Sequence, residues 1–258
     1  MLSPRAWSVK LTEIMDTETF TAQQLAEAAK YVGGRMGEKG SFNKMAEVRG
    51  TIGCDTPLTS EMAKQPCVYH SMNVTREYEE TYWDTDSQSK QQVQKTRRTT
   101  ASVAGNSQRV SFWVEDATGK VPVNPEGADI DGMQVVDRFE PGEPSIGNGL
   151  ISLGDFSLNV GGLTIGPMAG SRTIGDRFRE SVLPLGRQIY VLGEAGDRSG
   201  QLAIGRPREK GHKFLISLKS EEELIHSTGA AVRWLLVGAI ASGVAGVGLV
   251  AAGLRPLH

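Results

Sequence analysis

Residues Trp234–Leu254, WLLVGAIASGVAGVGLVAAGL, run for about 21 positions without a charge. Wound as a helix at ~1.5 Å per residue, they span roughly 31 Å, close to the ~30 Å hydrocarbon core of a bilayer. Arg233 and Arg255 bracket the run, and Trp234 stands where an interfacial aromatic belongs. A helix buried in a soluble core needs partners on every side, and only Arg255, Pro256, Leu257 and His258 follow. The expectation is therefore a transmembrane helix, with everything before it hung from a C-terminal anchor in an integral membrane protein and the lipid bilayer as its first partner.

Inside this span Gly238, Ser242 and Gly246 recur at i, i+4 and i+8. Small residues at that spacing let two helices approach closely in lipid, which makes this face a candidate for homo-oligomer packing. Gly is also simply commoner in membrane helices, so both readings stand. Lys219 and Arg233 precede the anchor against Arg255 after it, a bias that places the preceding domain on the cytoplasmic side. The N-terminal MLSPRAWSVKLTEIMD lacks the continuous apolar run of a signal peptide.

A net charge of −2 with 22% charged residues argues against a general nucleic-acid binder, so no nucleic-acid partner is expected. The four histidines, His70, His212, His226 and His258, are scattered, and Cys54 and Cys67 are the only cysteines. A structural zinc site needs about four such ligands at short spacings, so no metal and no cofactor is expected. Cys54 and Cys67 flank a connection between two strands; two buried thiols are the better expectation than a disulfide, which would need an oxidising compartment.

Taken in order, residues 1–19 read as an irregular lead-in. Thr21-Ala-Gln-Gln24 is a capping box that opens a short helix over 21–32, with Leu25, Ala28, Ala29 and Val32 as its apolar stripe and Gly33-Gly34 as its end. From Lys44 the period becomes two: Ala46, Val48, Gly50 and Ile52 alternate with Glu47, Arg49 and Thr51. A long strand is predicted over Cys67–Tyr82. Val110–Val114 and Lys120–Val123 flank Asp116-Ala-Thr-Gly119 as a hairpin. Met133–Phe139 reads as a strand and Glu140–Gly149 as a loop. Ser157–Val160 and Leu163–Ile165 read as short strands, and Arg177–Val182 as a helical turn. Gln188–Gly193 and Gln201–Gly205 form a strand pair turned at Asp197–Gly200, and Lys213–Leu218 is a further strand. Ser220–Glu223 is a second capping box, opening a juxtamembrane helix over 220–233. The glycine-rich stretch to Gly175 contains neither GxGxxG before a helix nor a P-loop, so it is read as turns and bulges.

The segment between the long strand and the hairpin is the most unusual. Glu77, Glu79, Glu80, Asp84 and Asp86 load one arm with negative charge, and Lys90, Lys95, Arg97 and Arg98 load the returning arm with positive charge. Opposite charges across an antiparallel pair attract, so the plain reading is a solvated β-arm that pairs with itself. The functional reading is a protruding arm that docks on a protein partner or on lipid headgroups through Tyr78, Tyr82, Trp83, Lys90, Lys95, Arg97 and Arg98. The fold class is mainly β with flanking helices (α+β): an OB-like or related β-barrel with a long β-arm, over residues 20–219, and a C-terminal transmembrane helix.

REYEETYWDTD (Arg76–Asp86), FWVEDATGKVPVNPEGADID (Phe112–Asp131), ESVLPLGRQIYVLGEA (Glu180–Ala195) and FLISLKSEEELI (Phe214–Ile225) together resemble the GIDE family of membrane-embedded E3 ubiquitin ligases, whose shared module is called the beside-a-membrane domain. The resemblance implies a β-rich domain held between two membrane helices. In the eukaryotic ligase a RING follows, which binds two zincs through eight Cys/His ligands and recruits a ubiquitin-charged conjugating enzyme. This chain departs from that pattern in having two cysteines and hence no RING, and in showing no first membrane helix before its module. No catalytic residue is carried over. The expected function is a membrane-anchored, non-catalytic interaction or scaffold module; the alternative is ubiquitin transfer, implied by the family alone. Neither G-x-S-x-G nor a locally spaced acid pair argues for a hydrolase.

Overall fold

The computed structural model describes residues 17–36, 41–85, 90–142, 150–153, 156–159, 171–197 and 200–219. The lead-in to residue 16, Asp86, the strand expected at Leu163–Ile165, the second capping box and the apolar run with Gly238, Ser242 and Gly246 lie outside the described residues. No helix among the described residues is long and apolar enough to cross a membrane.

The elements are α1 (Ala22–Met36), β1 (Asn43–Gly53), β2 (Leu58–Thr59), β3 (Pro66–Thr85), β4 (Gln92–Arg109), β5 (Phe112–Asp116), β6 (Gly119–Val123), β7 (Asp129–Asp131), β8 (Met133–Pro141), β9 (Leu150–Leu153), β10 (Phe156–Asn159), β11 (Ser171–Pro184), β12 (Gln188–Gly196), β13 (Ala203–Gly205) and β14 (Leu215–Ser217). The described fold is thus mainly β, with one helix. The elements gather into two compact units. One is drawn from the described residues up to Ile52, from Trp113–Asp131 and from Gln188 onward; the other from Gly53–Phe112 and Gly132–Arg187.

The first unit is a closed five-stranded barrel. Its order is β1–β5–β6–β13–β12, and β12 returns antiparallel to β1 over Asn43↔Gly196 to Thr51↔Gln188. β13 lies parallel to β6 through Ile204↔Val123. β14 shares the outer edge of β12 with β13 and carries β7 in parallel. The period-two pattern explains the lining: Ala46, Val48 and Ile52 of β1 meet Ile189, Val191 and Ala195 of β12, with Val121, Val123 and Ile204, all buried. Gly193 is required where β12 turns tightly in the barrel wall. A Cβ there would come within 2.8 Å of the Phe214 ring and 2.9 Å of the Gly205 carbonyl.

The sequence-predicted capping box forms. The Thr21 hydroxyl accepts from the Gln24 N–H at 3.2 Å, and the Gln24 side chain accepts from the Thr21 N–H at 2.8 Å. Two more N-terminal amides are satisfied from the β5–β6 turn: Ala22 N–H donates to Asp116 at 2.8 Å and Gln23 N–H to the Thr118 hydroxyl at 3.1 Å. Gly33-Gly34 does not end the helix, which runs on to Met36. Interior glycine costs a helix roughly 1 kcal/mol but does not forbid it.

The second unit holds a five-stranded antiparallel sheet, β2–β3–β11–β8 with β4 on the same edge of β3 as β2, and a two-stranded antiparallel pair, β9–β10. Met72, Val74, Val103, Phe156 and Phe178 form its core. The helical turn expected at Arg177–Val182 is instead part of the 14-residue strand β11. Asp176, Phe178, Glu180 and Val182 all face inward, so the alternation was hidden by two buried carboxylates at apolar positions. Glu180 is fully buried, and its oxygens accept from the N–H groups of Glu61, Met62 and Ala63 at 2.7–3.1 Å, pinning that turn over the sheet.

Burial pushes the Asp116 carboxyl up, but the Thr118 hydroxyl and the backbone N–H groups of Ala22, Thr118 and Gly119 outweigh it and hold its pKa below the ordinary carboxylate range. A depressed folded pKa contributes stability that is complete above the unfolded value of about 3.9 and fades as pH falls through the folded one. Asp116→Ala should therefore cost roughly 1–3 kcal/mol at pH 7. Urea denaturation in mild detergent should show the gap between variant and wild type narrowing as pH falls below 4; a pH-independent gap would contradict this.

Candidate functional site

The long hairpin of β3 and β4 is the feature most unlike a plain barrel-and-sheet fold, and its root is set by charge. Arg76 and Asp176, register partners on β3 and β11, are buried to 1% and 3% exposure. The guanidinium donates to both carboxylate oxygens, Nε to Oδ1 at 2.8 Å and Nη2 to Oδ2 at 3.0 Å. A bidentate fork fixes direction as well as distance. Beside it on the outer face, Arg177 donates to Glu77 and to Asp137, each at 3.0 Å, and stands 5.4 Å from the Phe139 ring centre. The hydrogen bond from Arg177 holds the Asp137 carboxyl below its usual range.

Beyond the root, the pairing of β11 with β3 stops at Ser171↔Glu80, while β3 and β4 stay paired to Thr85↔Gln92. The expected self-pairing of the arm takes this form: Lys95 donates to Asp84 at 2.6 Å and Arg97 to Glu80 at 2.8 Å. Lys95 pulls the Asp84 carboxyl below the ordinary range. The Arg97 guanidinium also stands 5.4 Å from the Tyr82 ring centre.

The sequence-selected residues therefore separate. Trp83 is 66% exposed and Tyr82 37%, whereas Tyr78 is 8% exposed and turned into the unit. Lys90 is exposed with a left-handed backbone, φ 53°, at the start of the returning strand. Arg98 is exposed opposite Glu79. Sequence reasoning missed the contributions of β11, namely Arg172, Asp176, Arg177 and Glu180, because their strand was read as a turn. The signal that could have found them is a strict two-residue alternation from Asp176 to Val182, once charged residues are allowed inside.

Cys54 and Cys67 are free thiols. Cys67 is buried, and burial, followed by the Glu180 charge, pushes its thiol up to about 11. At neutral pH it stays protonated, which disables it as a nucleophile. Among the described residues no group of three or more His, Cys, Asp or Glu could hold a metal ion.

Comparison with known proteins gives one match: the family model described as GIDE, E3 ubiquitin ligase, over residues 81–252. No curated protein and no solved structure matches the chain.

Removing one partner of the arm-root pair should be costly, since it strands a buried charge. Asp176→Ala is expected to lose about 3–5 kcal/mol, and the double variant Arg76→Met/Asp176→Leu to recover most of it. Urea melts of the three proteins would check this; a double variant as unstable as the single one would assign the site a role beyond charge pairing.

Proposed function

Because this chain belongs to the GIDE family, we propose that it is a membrane-held interaction module of the E3 ubiquitin ligase type that positions a protein partner rather than transferring ubiquitin itself. The observation that carries this is the arm. Asp84 and Glu80 are matched across the ribbon by Lys95 and Arg97 while Trp83 and Tyr82 stay exposed, and exposed aromatics are what interfaces enrich. The family match begins on the arm at Thr81 and continues to residue 252, through most of the apolar run that is read as the anchor. The barrel is read as OB-like, supported by the order β1–β5–β6–β13–β12 and the parallel closure of β13 on β6. The cytoplasmic placement and the packing of Gly238, Ser242 and Gly246 between copies rest on sequence alone.

The alternative is intrinsic ubiquitin transfer. The family description favours it, whereas the two cysteines of the sequence given are too few for the ligand set of a RING.

A photo-crosslinker at position 83, in protein extracted with mild detergent from its own membranes, should capture a partner. Tyr82→Ala should reduce that adduct at least tenfold without changing the melting temperature. Recovery of the chain in the soluble fraction after gentle lysis would overturn the anchor. Ubiquitin chains formed by this protein with activating and conjugating enzymes alone would overturn the non-catalytic reading.

A further inference from the structure

Most arginines around the arm have a carboxylate partner: Arg76 has Asp176, Arg97 has Glu80, and Arg177 has Glu77 and Asp137. Two do not. Arg98 on β4 and Arg172 on β11 are both register partners of Glu79 on β3, so the three residues form one row across the sheet. All three are exposed, and among the described residues none has a hydrogen bond or ion pair to its side chain. The row lines a cleft of about 510 Å³, together with Thr173, Ile174 and Pro141. That volume lies within the roughly 300–1,000 Å³ typical of small-molecule sites.

The cleft forms where β11 is irregular. Its register with β3 slips between Thr173 and Gly175, leaving Ile174 as the extra residue of a β-bulge. Such a bulge bends the strand and re-aims its side chains. Gly175 then lets the end of β8 close in: a Cβ there would lie 2.8 Å from the Phe139 ring and 2.9 Å from the Pro141 Cα. The Gly142 N–H donates to the Ile174 carbonyl at 2.8 Å and fixes this wall. The cleft thus combines Pro141 and Ile174 with two guanidiniums and one carboxylate.

The donor set selects the ligand. Two guanidiniums beside one carboxylate suit a ligand with an anionic group for the arginines and a donor for the glutamate. Each guanidinium presents a planar fork of N–H donors suited to phosphate oxygens, and a tetrahedral phosphate offers an oxygen to each. Ionised Glu79 is an acceptor only, so the ligand must also bring a donor. A phosphate without one would set its charge against the Glu79 carboxylate. We infer that this cleft binds a phosphodiester bearing a hydroxyl or ammonium group, with the phosphate between Arg98 and Arg172 and the donor on Glu79. This is the chemistry of a phospholipid headgroup and of a soluble glycerophosphodiester alike. The inference is separate from the arm-docking reading, since Trp83 does not line the cleft.

The test is calorimetric titration of the full chain in mild detergent with glycerophosphoethanolamine, dihexanoyl phosphatidylethanolamine below its micellar concentration, and inorganic phosphate. Saturable binding of the soluble diester, at least tenfold weaker in Arg98→Gln and in Arg172→Gln, would support the site with a free ligand. The same loss seen only with the dihexanoyl lipid would support it with a membrane lipid as the source. Arg172→Lys keeps the charge but not the fork and should fall between. Circular dichroism melts matching wild type would exclude misfolding of these surface variants, and Trp83→Ala should bind as wild type does. No saturable binding of either diester, affinity unchanged in both glutamine variants, or inorganic phosphate bound as tightly as the diesters would overturn the inference.

Discussion

The buried fork between Arg76 and Asp176 is the constraint on which the second unit depends. Desolvating a guanidinium and a carboxylate is expensive, and the cost is offset only when the two meet in good geometry. A slip of one residue between β3 and β11 would turn both side chains to the other face and separate every cross-strand pair built on the same register. With the fork in place, Glu77 meets Arg177, Glu79 falls in line with Arg172, and Glu180 lies under the turn at Glu61–Ala63. The ion pair need add little net stability to do this; its effect is to single out one register among several that the apolar residues alone would tolerate.

The same logic governs the arm. A two-stranded ribbon presents unpaired edges, and natural proteins protect such edges with charge. Here the acidic strand and the basic strand neutralise each other locally, through Asp84 with Lys95 and Glu80 with Arg97. Trp83, and Tyr82 beside the Arg97 guanidinium, are exposed on the same arm. Charges on both strands of the ribbon discourage edge-on association.

How much of this could be read from the chain follows from where the polar groups sit. Ala46, Val48 and Ile52 stand out because the positions between them are polar, and the reciprocal Thr21–Gln24 bonds need only two residue types at a fixed spacing. The closure of the barrel is a different matter. Thr51 and Gln188 are hydrogen-bonded across the β1–β12 seam while lying 137 positions apart, and no local pattern encodes that meeting. β11 failed for a third reason: with Asp176 and Glu180 at core positions, its inward face looks polar in sequence and becomes sensible only once Arg76 and the turn amides are seen to satisfy it. The unpaired row at Arg98, Glu79 and Arg172 depends on that strand and was illegible with it.

The distribution of satisfied and unsatisfied groups bears on what kind of chemistry the fold suits. Glu180 has both oxygens occupied by backbone amides, Glu47 receives hydrogen bonds from Thr19, Arg49 and Tyr190, and Asp116 is held by four donors. Cys67 is kept protonated by burial. A general acid, base or nucleophile has to be able to exchange its partner for a reacting group, and the buried Glu47 and Glu180 and the half-buried Asp116 are already committed to holding turns and strands. Among the described residues, the buried Gln65 Nε2 and His70 Nδ1 lack a hydrogen-bond partner, and at the surface the row of Arg98, Glu79 and Arg172 keeps free capacity that a ligand can fill without disturbing the core. Among the described residues, then, the buried carboxylates are saturated by the fold while the charges of this surface row are open, and the proposal that this member of the GIDE family binds and positions a partner draws on that contrast.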